Sequence, residues 1–255
     1  MSRVEQLFDL SGRVAIITGA SSGLGAGFVG ALAAAGATVV AAARRRDLLE
    51  KLAADVPGPV IPVECDVTRP EDRDRLVQRA LEVTGSIDVL VNNAGRPGPP
   101  NAADDVPAVF ASILDLNLAA GFHLSAAVVA ARPDGRTCSI INVGSVVGLV
   151  STAPIGGASY AASKAGVLGL TRELAGQWGR SGVRVNAVVP GWFDTEMTDG
   201  LFTDEHSARW VRRNTMLNRG GRTGEVDGAV LFLASDAASY VTGHALTVDG
   251  GWTAR

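Results

Sequence analysis

Cysteine and histidine are scarce in this chain of 255 residues, which has two cysteines and three histidines. Cys65 and Cys138 lie in apolar, strand-like runs and form no Cys-x-x-Cys motif, so we expect two buried free thiols rather than a disulfide. His123, His206 and His244 are scattered without the spacing of metal ligands. The sequence therefore predicts no metal site.

A surplus of basic charge and an uninterrupted apolar segment are also missing. The formal net charge is -3 and the pI is near 5.6, which gives no basic footprint for nucleic acid. The first ten residues, MSRVEQLFDL, lack the apolar core of a signal peptide, and Gly36 and Thr38 interrupt the most apolar later run. We expect a soluble cytoplasmic protein with small-molecule partners, bound neither to nucleic acid nor to a membrane.

Short apolar runs rich in Val and Ile alternate with longer helical patterns, which is typical of βαβ units. The predicted strands are Val14 to Thr18, Thr38 to Ala43, Val60 to Cys65, Ile87 to Val91, Ser139 to Val143, Arg184 to Val189 and Ala245 to Val248. The predicted helices lie around 24–35, 46–54, 70–84, 106–131, 158–179 and 224–234. We predict an α/β protein with a single-domain, doubly wound Rossmann-type fold over residues 1–255. Its seven-stranded parallel sheet carries helices on both faces, and ligands bind beyond the carboxyl ends of the strands.

A glycine-rich turn from Thr18 to Gly25 follows the first predicted strand and opens directly into an alanine-rich helix. Glycine has no Cβ, so backbone N–H groups can approach a phosphate, and the helix N-terminus favours negative charge. The glycines are spaced three and one residues apart, as a variant of the dinucleotide fingerprint. An ordinary strand-to-helix turn is the simpler alternative, but the place after the first strand favours dinucleotide binding. The predicted contacts are Gly19, Ser21, Ser22, Gly23, Leu24 and Gly25.

The end of the second predicted strand indicates which nicotinamide cofactor fits. A carboxylate there holds the ribose 2′-hydroxyl of NAD, whereas an arginine accepts the 2′-phosphate of NADP. The strand ends at Ala43 and continues with three arginines, and the first carboxylate, Asp47, is better explained as compensating the dipole of a helix start. Arg44, helped by Arg45, therefore favours NADP(H), with NAD(H) as the alternative.

Tyr160 and Lys164 stand four residues apart in a chain with only two tyrosines and two lysines. On a helix, this spacing places both side chains on one face. A neighbouring ammonium favours the phenolate, so we expect the pKa of Tyr160 to fall from about 10 by roughly 1 to 3 units, toward the range of a useful proton donor. A lone Tyr-x-x-x-Lys pair is more often a solvated helix face, but the scarcity of both residue types argues against coincidence.

In their order along the chain, these motifs resemble the compact branch of the short-chain dehydrogenase/reductase family, and the match spans essentially the whole chain. Asp66-Val67 resembles the family's adenine contact, and Asn92 to Gly95 resembles its signature after the fourth strand. The resemblance adds to the predicted cofactor contacts the residues Asp66, Val67, Asn93, Ala94, Gly95, Tyr160, Lys164, Pro190, Gly191, Phe193 and Thr195.

The resemblance also implies the catalytic residues. Ser145, Tyr160 and Lys164 resemble the family's triad, and Asn117 resembles its fourth, helix-borne member. Ser145 comes just after a predicted strand, so its hydroxyl can polarise a substrate carbonyl while Tyr160 supplies the proton. By resemblance, Lys164 also holds the nicotinamide ribose and Asn117 positions a water in a proton relay; a buried asparagine that satisfies a backbone group is the alternative for Asn117.

The segment between Ser145 and Tyr160 is slightly longer than the commonest family spacing, so Ser151 or Ser159 could compete for the serine role. We prefer Ser145, because its Gly-Ser-Val-Val-Gly setting directly after a strand resembles the family pattern best.

Substrate choice is expected to lie in a lid over about residues 191–217, which aromatic residues and methionines punctuate. The carboxyl-terminal sequence resembles members that act as gluconate or related sugar dehydrogenases. We expect an NAD(P)-dependent oxidoreductase that transfers a hydride between nicotinamide and a carbonyl or secondary alcohol of a sugar, sugar acid or polyol. A 3-oxoacyl thioester reductase and a non-catalytic dinucleotide-binding regulator are the alternatives. The resemblance also implies a homotetramer.

Overall fold

The fold is built on one parallel β-sheet, seen in a computed structural model that describes residues 2–153, 156–198 and 200–254. Its strands are β1 (Val14–Thr18), β2 (Thr38–Ala43), β3 (Val60–Glu64), β4 (Val89–Asn92), β5 (Cys138–Val143), β6 (Val183–Pro190) and β7 (Ala245–Val248). They lie in the order β3-β2-β1-β4-β5-β6-β7, and every neighbouring pair is parallel. The predicted seven-stranded Rossmann-type sheet is therefore confirmed.

Helices connect the strands and cover both faces of the sheet. They are α1 (Arg3–Phe8), α2 (Gly23–Ala34), α3 (Arg46–Asp55), α4 (Pro70–Thr84), α5 (Pro107–Leu114), α6 (Ala120–Ala130), α7 (Ala158–Trp178), α8 (Glu205–Asn214) and α9 (Asp227–Ala234). The short α1 was not predicted, although Ser2 and Glu5 form a capping box whose Ser-x-x-Glu pattern is visible in the sequence.

The central strand β1 shows how the sheet divides the core. All five of its residues are buried, and their side chains alternate between the two faces. Ala15 and Ile17 belong to the apolar cluster that contains Phe28 of α2, whereas Ile16 belongs to the cluster that contains Leu76 of α4. Because both faces are covered, the strand is continuously apolar, which is why its bounds could be predicted.

The longest predicted helix, over 106–131, is divided in the structure. A π-helical turn, Asp115–Ala119, joins α5 to α6, and the amide of Ala120 donates to the carbonyl of Asp115 five residues earlier. By length and composition Pro107–Ala130 could cross a membrane, but α5 packs on α7, and α6 packs on β4 and β5. This run therefore forms two helices that pack on α7 and on the sheet.

The strand order reverses between β1 and β4, so the chain leaves these two neighbours toward opposite sides of the sheet. A crevice opens at such a switch point beyond the carboxyl ends of the strands. Gly19 follows β1, and Asn93 follows β4, so the residues predicted to bind the cofactor meet at this crevice.

Candidate active site

A cleft of about 1240 Å³ opens along the carboxyl edge of the sheet. It is lined by every residue predicted to contact the cofactor, from Gly19 to Thr195, and by Ser145. Neither Ser151 nor Ser159, the alternative serines, is among its lining residues; Ser159 is fully buried at the start of α7. Of the predicted site residues, Asn117 lies behind the cleft, against a small internal cavity.

The glycine loop after β1 is shaped to hold a dinucleotide. A Cβ built on Gly25 would collide with the carbonyl oxygen of Gly19, and Gly19 and Gly23 have φ angles of 63° and 55°, which favour glycine. Asn93 holds the loop, because its Nδ2 donates to the carbonyls of Thr18 and Gly19 at 2.9 and 3.1 Å. The absence of side chains at these points lets the backbone approach a phosphate at the start of α2, so the residues present fit a dinucleotide.

The loop after β3 is fixed by a carboxylate in a turn. Asp66 Oδ1 accepts hydrogen bonds from the amide and hydroxyl of Thr68, at 3.0 and 2.7 Å, and the amide of Asp66 donates to Asp72. Asp66 and Val67 both line the cleft beside Arg44. Both residues follow β3 at the carboxyl edge of the sheet, and their contact with adenine stays a prediction.

Arg45 connects the end of β2 to the glycine loop and to the predicted lid. Its guanidinium donates to the hydroxyls of Ser21 and Ser22 in the glycine loop, the latter at 2.7 Å. It also forms a two-pronged ion pair with Glu196 on the lid segment, at 2.8 and 3.0 Å. The exposed Arg44 lines the same cleft. The arginine that contacts the loop is thus Arg45, which the sequence suggested only as a helper.

The three triad residues converge from β5 and α7. Lys164 is buried, and its Nζ donates to the carbonyl of Val143, the last residue of β5, at 2.7 Å. Ser145 stands two residues further on and caps the short helix Val146–Gly148. A Cβ on Gly148 would meet the backbone of Lys164, so glycine allows this short helix to pack closely on α7.

The pKa of Tyr160 shifts in the direction opposite to the one expected from its spacing to Lys164. Burial raises the pKa of the phenol, and the hydrogen bond with Ser145 offsets only part of this effect. The Lys164 ammonium lies 5.6 Å from the centre of the Tyr160 ring and is directed to the Val143 carbonyl. The phenol is therefore neutral at neutral pH and holds a proton that it can donate.

Asn117 lies in the π-helical turn, and its side chain organises the backbone beyond β4. Its Oδ1 accepts from the amide of Arg96 at 3.0 Å, and its Nδ2 donates to the carbonyl of Arg96 and to Ser163 Oγ. The alternative suggested by the sequence, a buried asparagine that satisfies a backbone group, thus describes these contacts. A π turn interrupts regular helical bonding and often marks a functional site.

Comparisons with known proteins cover nearly the whole chain. Residues 19–253 match the profile of a family described as enoyl-(acyl carrier protein) reductase. The chain is 37% identical to a short-chain type dehydrogenase/reductase from Mycobacterium marinum of known crystal structure; the match covers 99% of this chain and 100% of that chain, with a TM-score of 0.93.

The chain belongs to the short-chain dehydrogenase/reductase family.

Relatives of this short-chain dehydrogenase/reductase act on two classes of substrate. A 3-oxoacyl-(acyl-carrier-protein) reductase of Thermotoga maritima is 38% identical over 95% of this chain and 98% of its own length. A 2-dehydro-3-deoxy-D-gluconate 5-dehydrogenase of Dickeya dadantii is 34% identical over 97% and 98%. The crystal structure of a gluconate 5-dehydrogenase from Burkholderia cenocepacia J2315 in complex with NADP and tartrate shares 31% identity, with a TM-score of 0.91 over 99% of this chain and 100% of that chain.

The predicted lid of this short-chain dehydrogenase/reductase contacts Tyr160. Tyr160 Oη donates a weak hydrogen bond to Met197 Sδ at 3.9 Å. Trp192 and Trp210 from the predicted lid pack edge-on with ring centres 5.6 Å apart, and both contact Trp252 near the carboxyl terminus. The aromatic rings therefore hold the predicted lid against the carboxyl-terminal segment, while Met197 contacts Tyr160. Residue 199, inside the predicted lid, lies outside the described residues.

Replacing Lys164 with Met tests whether burial in this dehydrogenase disfavours the charged form of Lys164. Burial lowers the pKa of Lys164 from 10.5 to about 8, so the folded protein resists the charged form. Above pH 10.5 the lysine is neutral in both states and causes no penalty; below pH 8 it is charged in both, and the full penalty applies. At about 1.4 kcal/mol per pKa unit, this penalty is roughly 3 kcal/mol. Urea unfolding should show wild type gaining that stability relative to Lys164→Met as pH rises through this window.

Lys51, the other lysine, provides the control because it lies exposed on α3. Lys51→Met should show no such pH-dependent difference from wild type. A difference between wild type and Lys164→Met that stays constant across the window would show that burial does not disfavour the Lys164 charge.

Proposed function

We propose that this chain is an NADP(H)-dependent dehydrogenase that acts on a carbonyl or secondary alcohol of a sugar, sugar acid or related polyol. The observation that supports it most directly is the convergence of Ser145, Tyr160 and Lys164 in one cleft with the glycine loop. A nicotinamide dinucleotide bound in that cleft supplies or accepts the hydride. The complete Ser, Tyr and Lys set argues against a purely regulatory role.

Each residue of the triad has a distinct role in this proposal. Ser145 hydrogen-bonds the reacting oxygen of the substrate and so stabilises developing negative charge. The neutral Tyr160 phenol donates its proton to that oxygen during reduction and accepts one during oxidation. Lys164, fixed by the Val143 carbonyl, places a cation beneath the tyrosine and holds the ribose hydroxyls, while Asn117 supports a proton relay.

The cofactor preference rests on the end of β2. Arg44 and Arg45 line the cleft where a strand-end carboxylate would be needed to bind the ribose of NAD. The gluconate 5-dehydrogenase from Burkholderia cenocepacia, which has NADP bound, supports the same preference. NAD(H) remains the alternative cofactor.

Two substrate classes fit the cleft differently. Arg96 lines it, and its Nη2 donates to Ser112 Oγ at 2.8 Å, so a guanidinium stands ready to pair with a carboxylate. This favours a sugar acid. The apolar lining by Trp192, Met197 and Leu201, together with the 38% identical relative from Thermotoga maritima, favours a 3-oxoacyl thioester as the second candidate.

A substrate panel with NADPH, NADH and their oxidised forms tests the proposed reaction. We expect the highest kcat/KM for a keto sugar acid or its alcohol with the NADP pair, measured by the absorbance of the reduced nicotinamide. A carboxylate on the substrate can pair with the Arg96 guanidinium, whereas a neutral polyol has no charge to pair with it.

The panel also separates the alternatives. A higher kcat/KM for a 3-oxoacyl thioester would replace the sugar-acid assignment, and no turnover with any carbonyl or alcohol would favour the regulatory role. The Tyr160→Phe protein, assayed in parallel, shows how much absorbance change comes from contaminating enzymes.

We also propose a domain organisation, an assembly and a location for this chain. The chain forms one catalytic domain whose lid spans about 191–217, and it assembles as a homotetramer in the cytoplasm. The family resemblance supports the assembly. A molar mass of one chain by light scattering at working concentration would contradict it.

A further inference from the structure

Arg45 is already engaged at the place where a 2′-phosphate would need it. Its Nε and Nη2 donate to Ser21 Oγ at 3.2 and 3.1 Å, and Nη2 also donates to Ser22 Oγ. Nη1 and Nη2 donate to the two carboxylate oxygens of Glu196. The guanidinium therefore presents its paired N–H groups to a carboxylate, which is the geometry that a phosphate would also use.

Glu196 and a 2′-phosphate compete for Arg45, because both are anions. Arg45 and Ser22 hold the pKa of Glu196 at about 2, so the carboxylate is ionised throughout the working range. A 2′-phosphate carries about 1.5 to 2 negative charges at neutral pH, and Glu196 would repel it at short distance. The Nη1–Nη2 edge of the guanidinium cannot pair with both anions, and its other edge, Nε–Nη2, already donates to Ser21 Oγ. A 2′-hydroxyl, in contrast, brings no charge and does not require the ion pair to break.

Glu196 belongs to the same short turn as a residue that covers the catalytic tyrosine. Two hydrogen bonds between Thr195 and Thr198 close the turn Glu196–Thr198. The Thr198 amide donates to the Thr195 carbonyl, and the Thr198 hydroxyl oxygen accepts from the Thr195 amide. Met197, the next residue, accepts from Tyr160 Oη. Movement of Glu196 away from Arg45 therefore also moves the side chain that lies against the reacting hydroxyl.

We propose that Glu196 competes with the 2′-phosphate of NADP for Arg45, and that it thereby weakens the preference for NADP that Arg44 and Arg45 give and links cofactor choice to the position of the lid turn. This inference rests on the proposed nicotinamide-dependent function. NADP(H) takes Arg45 from Glu196 and frees the lid turn over Tyr160. NAD(H) leaves the ion pair in place. Removal of the Glu196 charge should therefore improve binding of the phosphorylated cofactor alone.

The test compares the nucleotide fragments 2′,5′-ADP and 5′-AMP by isothermal titration calorimetry at low salt. These fragments carry no nicotinamide, so the readout is independent of turnover. Glu196→Gln is expected to tighten 2′,5′-ADP about five- to tenfold, because an exposed ion pair and a repulsive charge are both removed. The Kd of 5′-AMP should stay within about twofold of wild type, within the range of unaffected surface positions.

Matched variants separate the Arg45 contact from a general charge effect. Glu205→Gln removes another exposed carboxylate of the lid, which pairs with Arg209 and Arg212, and it should leave both Kd values unchanged. Glu196→Asp keeps the charge and should remain close to wild type. Equal tightening by Glu196→Gln and Glu205→Gln would overturn the proposal, as would an unchanged preference between the two fragments.

Hydrogen exchange gives the second readout. Exchange of the amides in peptides covering residues 193–202 should rise when wild type binds 2′,5′-ADP and stay unchanged with 5′-AMP. Equal exchange with both fragments would refute the link to the lid turn. A wild-type protein that binds neither fragment, NADPH nor NADH would instead refute the proposed function, so the two failures are distinguishable.

Discussion

The Tyr160→Phe variant is expected to lose about 10³-fold in kcat, within the range that general acid catalysis contributes, while its Kd for the dinucleotide stays close to that of wild type. The phenol holds its proton because burial raises its pKa, and phenylalanine keeps the ring but has no proton to give. The ring's contact with Lys164, 5.6 Å from its centre, is preserved. Steady-state kinetics and a cofactor titration on the same preparation measure both quantities.

Tyr240 makes this experiment a controlled one. It is the only other tyrosine and its side chain is fully exposed, so Tyr240→Phe should keep wild-type kcat. If Tyr160→Phe retained more than about a tenth of the wild-type kcat, a loss too small for a positioned general acid, another group would have to be the proton donor.

The raised pKa of the phenol also gives the two reaction directions different pH profiles. Reduction needs the protonated phenol, which is present across the neutral range. Oxidation of an alcohol needs a proton acceptor, so its rate is favoured as pH rises toward the pKa of Tyr160. The spacing of Tyr160 and Lys164 could not reveal this, because the cost of burial depends on neighbours from β5 and the lid rather than on the helix alone.

The sheet was predictable from the sequence because each strand is a continuous apolar run followed by a distinctive turn. The bounds of β1, β2 and β7 agree with the prediction, and those of the other strands differ by one or two residues. The division between α5 and α6 was not predictable in this way. A π turn adds one residue to a helical turn without changing the apolar composition, so the pattern over 106–131 reads as one helix.

The site was predictable where its residues follow strands, and unpredictable where distant segments meet. The residues predicted to contact the cofactor line one cleft because parallel strands bring their carboxyl ends to the same edge. The ion pair between Arg45 and Glu196 joins residues 151 positions apart. The periodicity near either residue does not predict that the segment around Glu196 lies against Arg45 and the glycine loop. The contact between Met197 and Tyr160 also joins residues that are far apart in the sequence.

The Gly25→Ala variant is expected to weaken dinucleotide binding by at least about a hundredfold and to destabilise the protein by roughly 1 to 3 kcal/mol, the usual cost of overpacking. The added methyl would meet the carbonyl oxygen of Gly19 and, at 2.6 Å, Asn93 Nδ2. Asn93 also holds the carbonyls of Thr18 and Gly19, so the loop can move aside only by breaking these bonds. Urea unfolding measures the loss of stability, and a titration with NADPH measures the loss of binding.

Gly30 supplies the matched control, because it lies on the same helix α2 and a Cβ there would meet nothing within 4 Å. Alanine is the better helix former, so Gly30→Ala should leave NADPH binding unchanged and stabilise the protein by about 0.5 to 1 kcal/mol. Gly25→Ala gains the same helix propensity. The difference in the free energy of unfolding between the two variants therefore isolates the cost of the close approach between Gly25 and Gly19. If both variants bound NADPH like wild type, the contact between α2 and the glycine loop would not be what shapes the phosphate site.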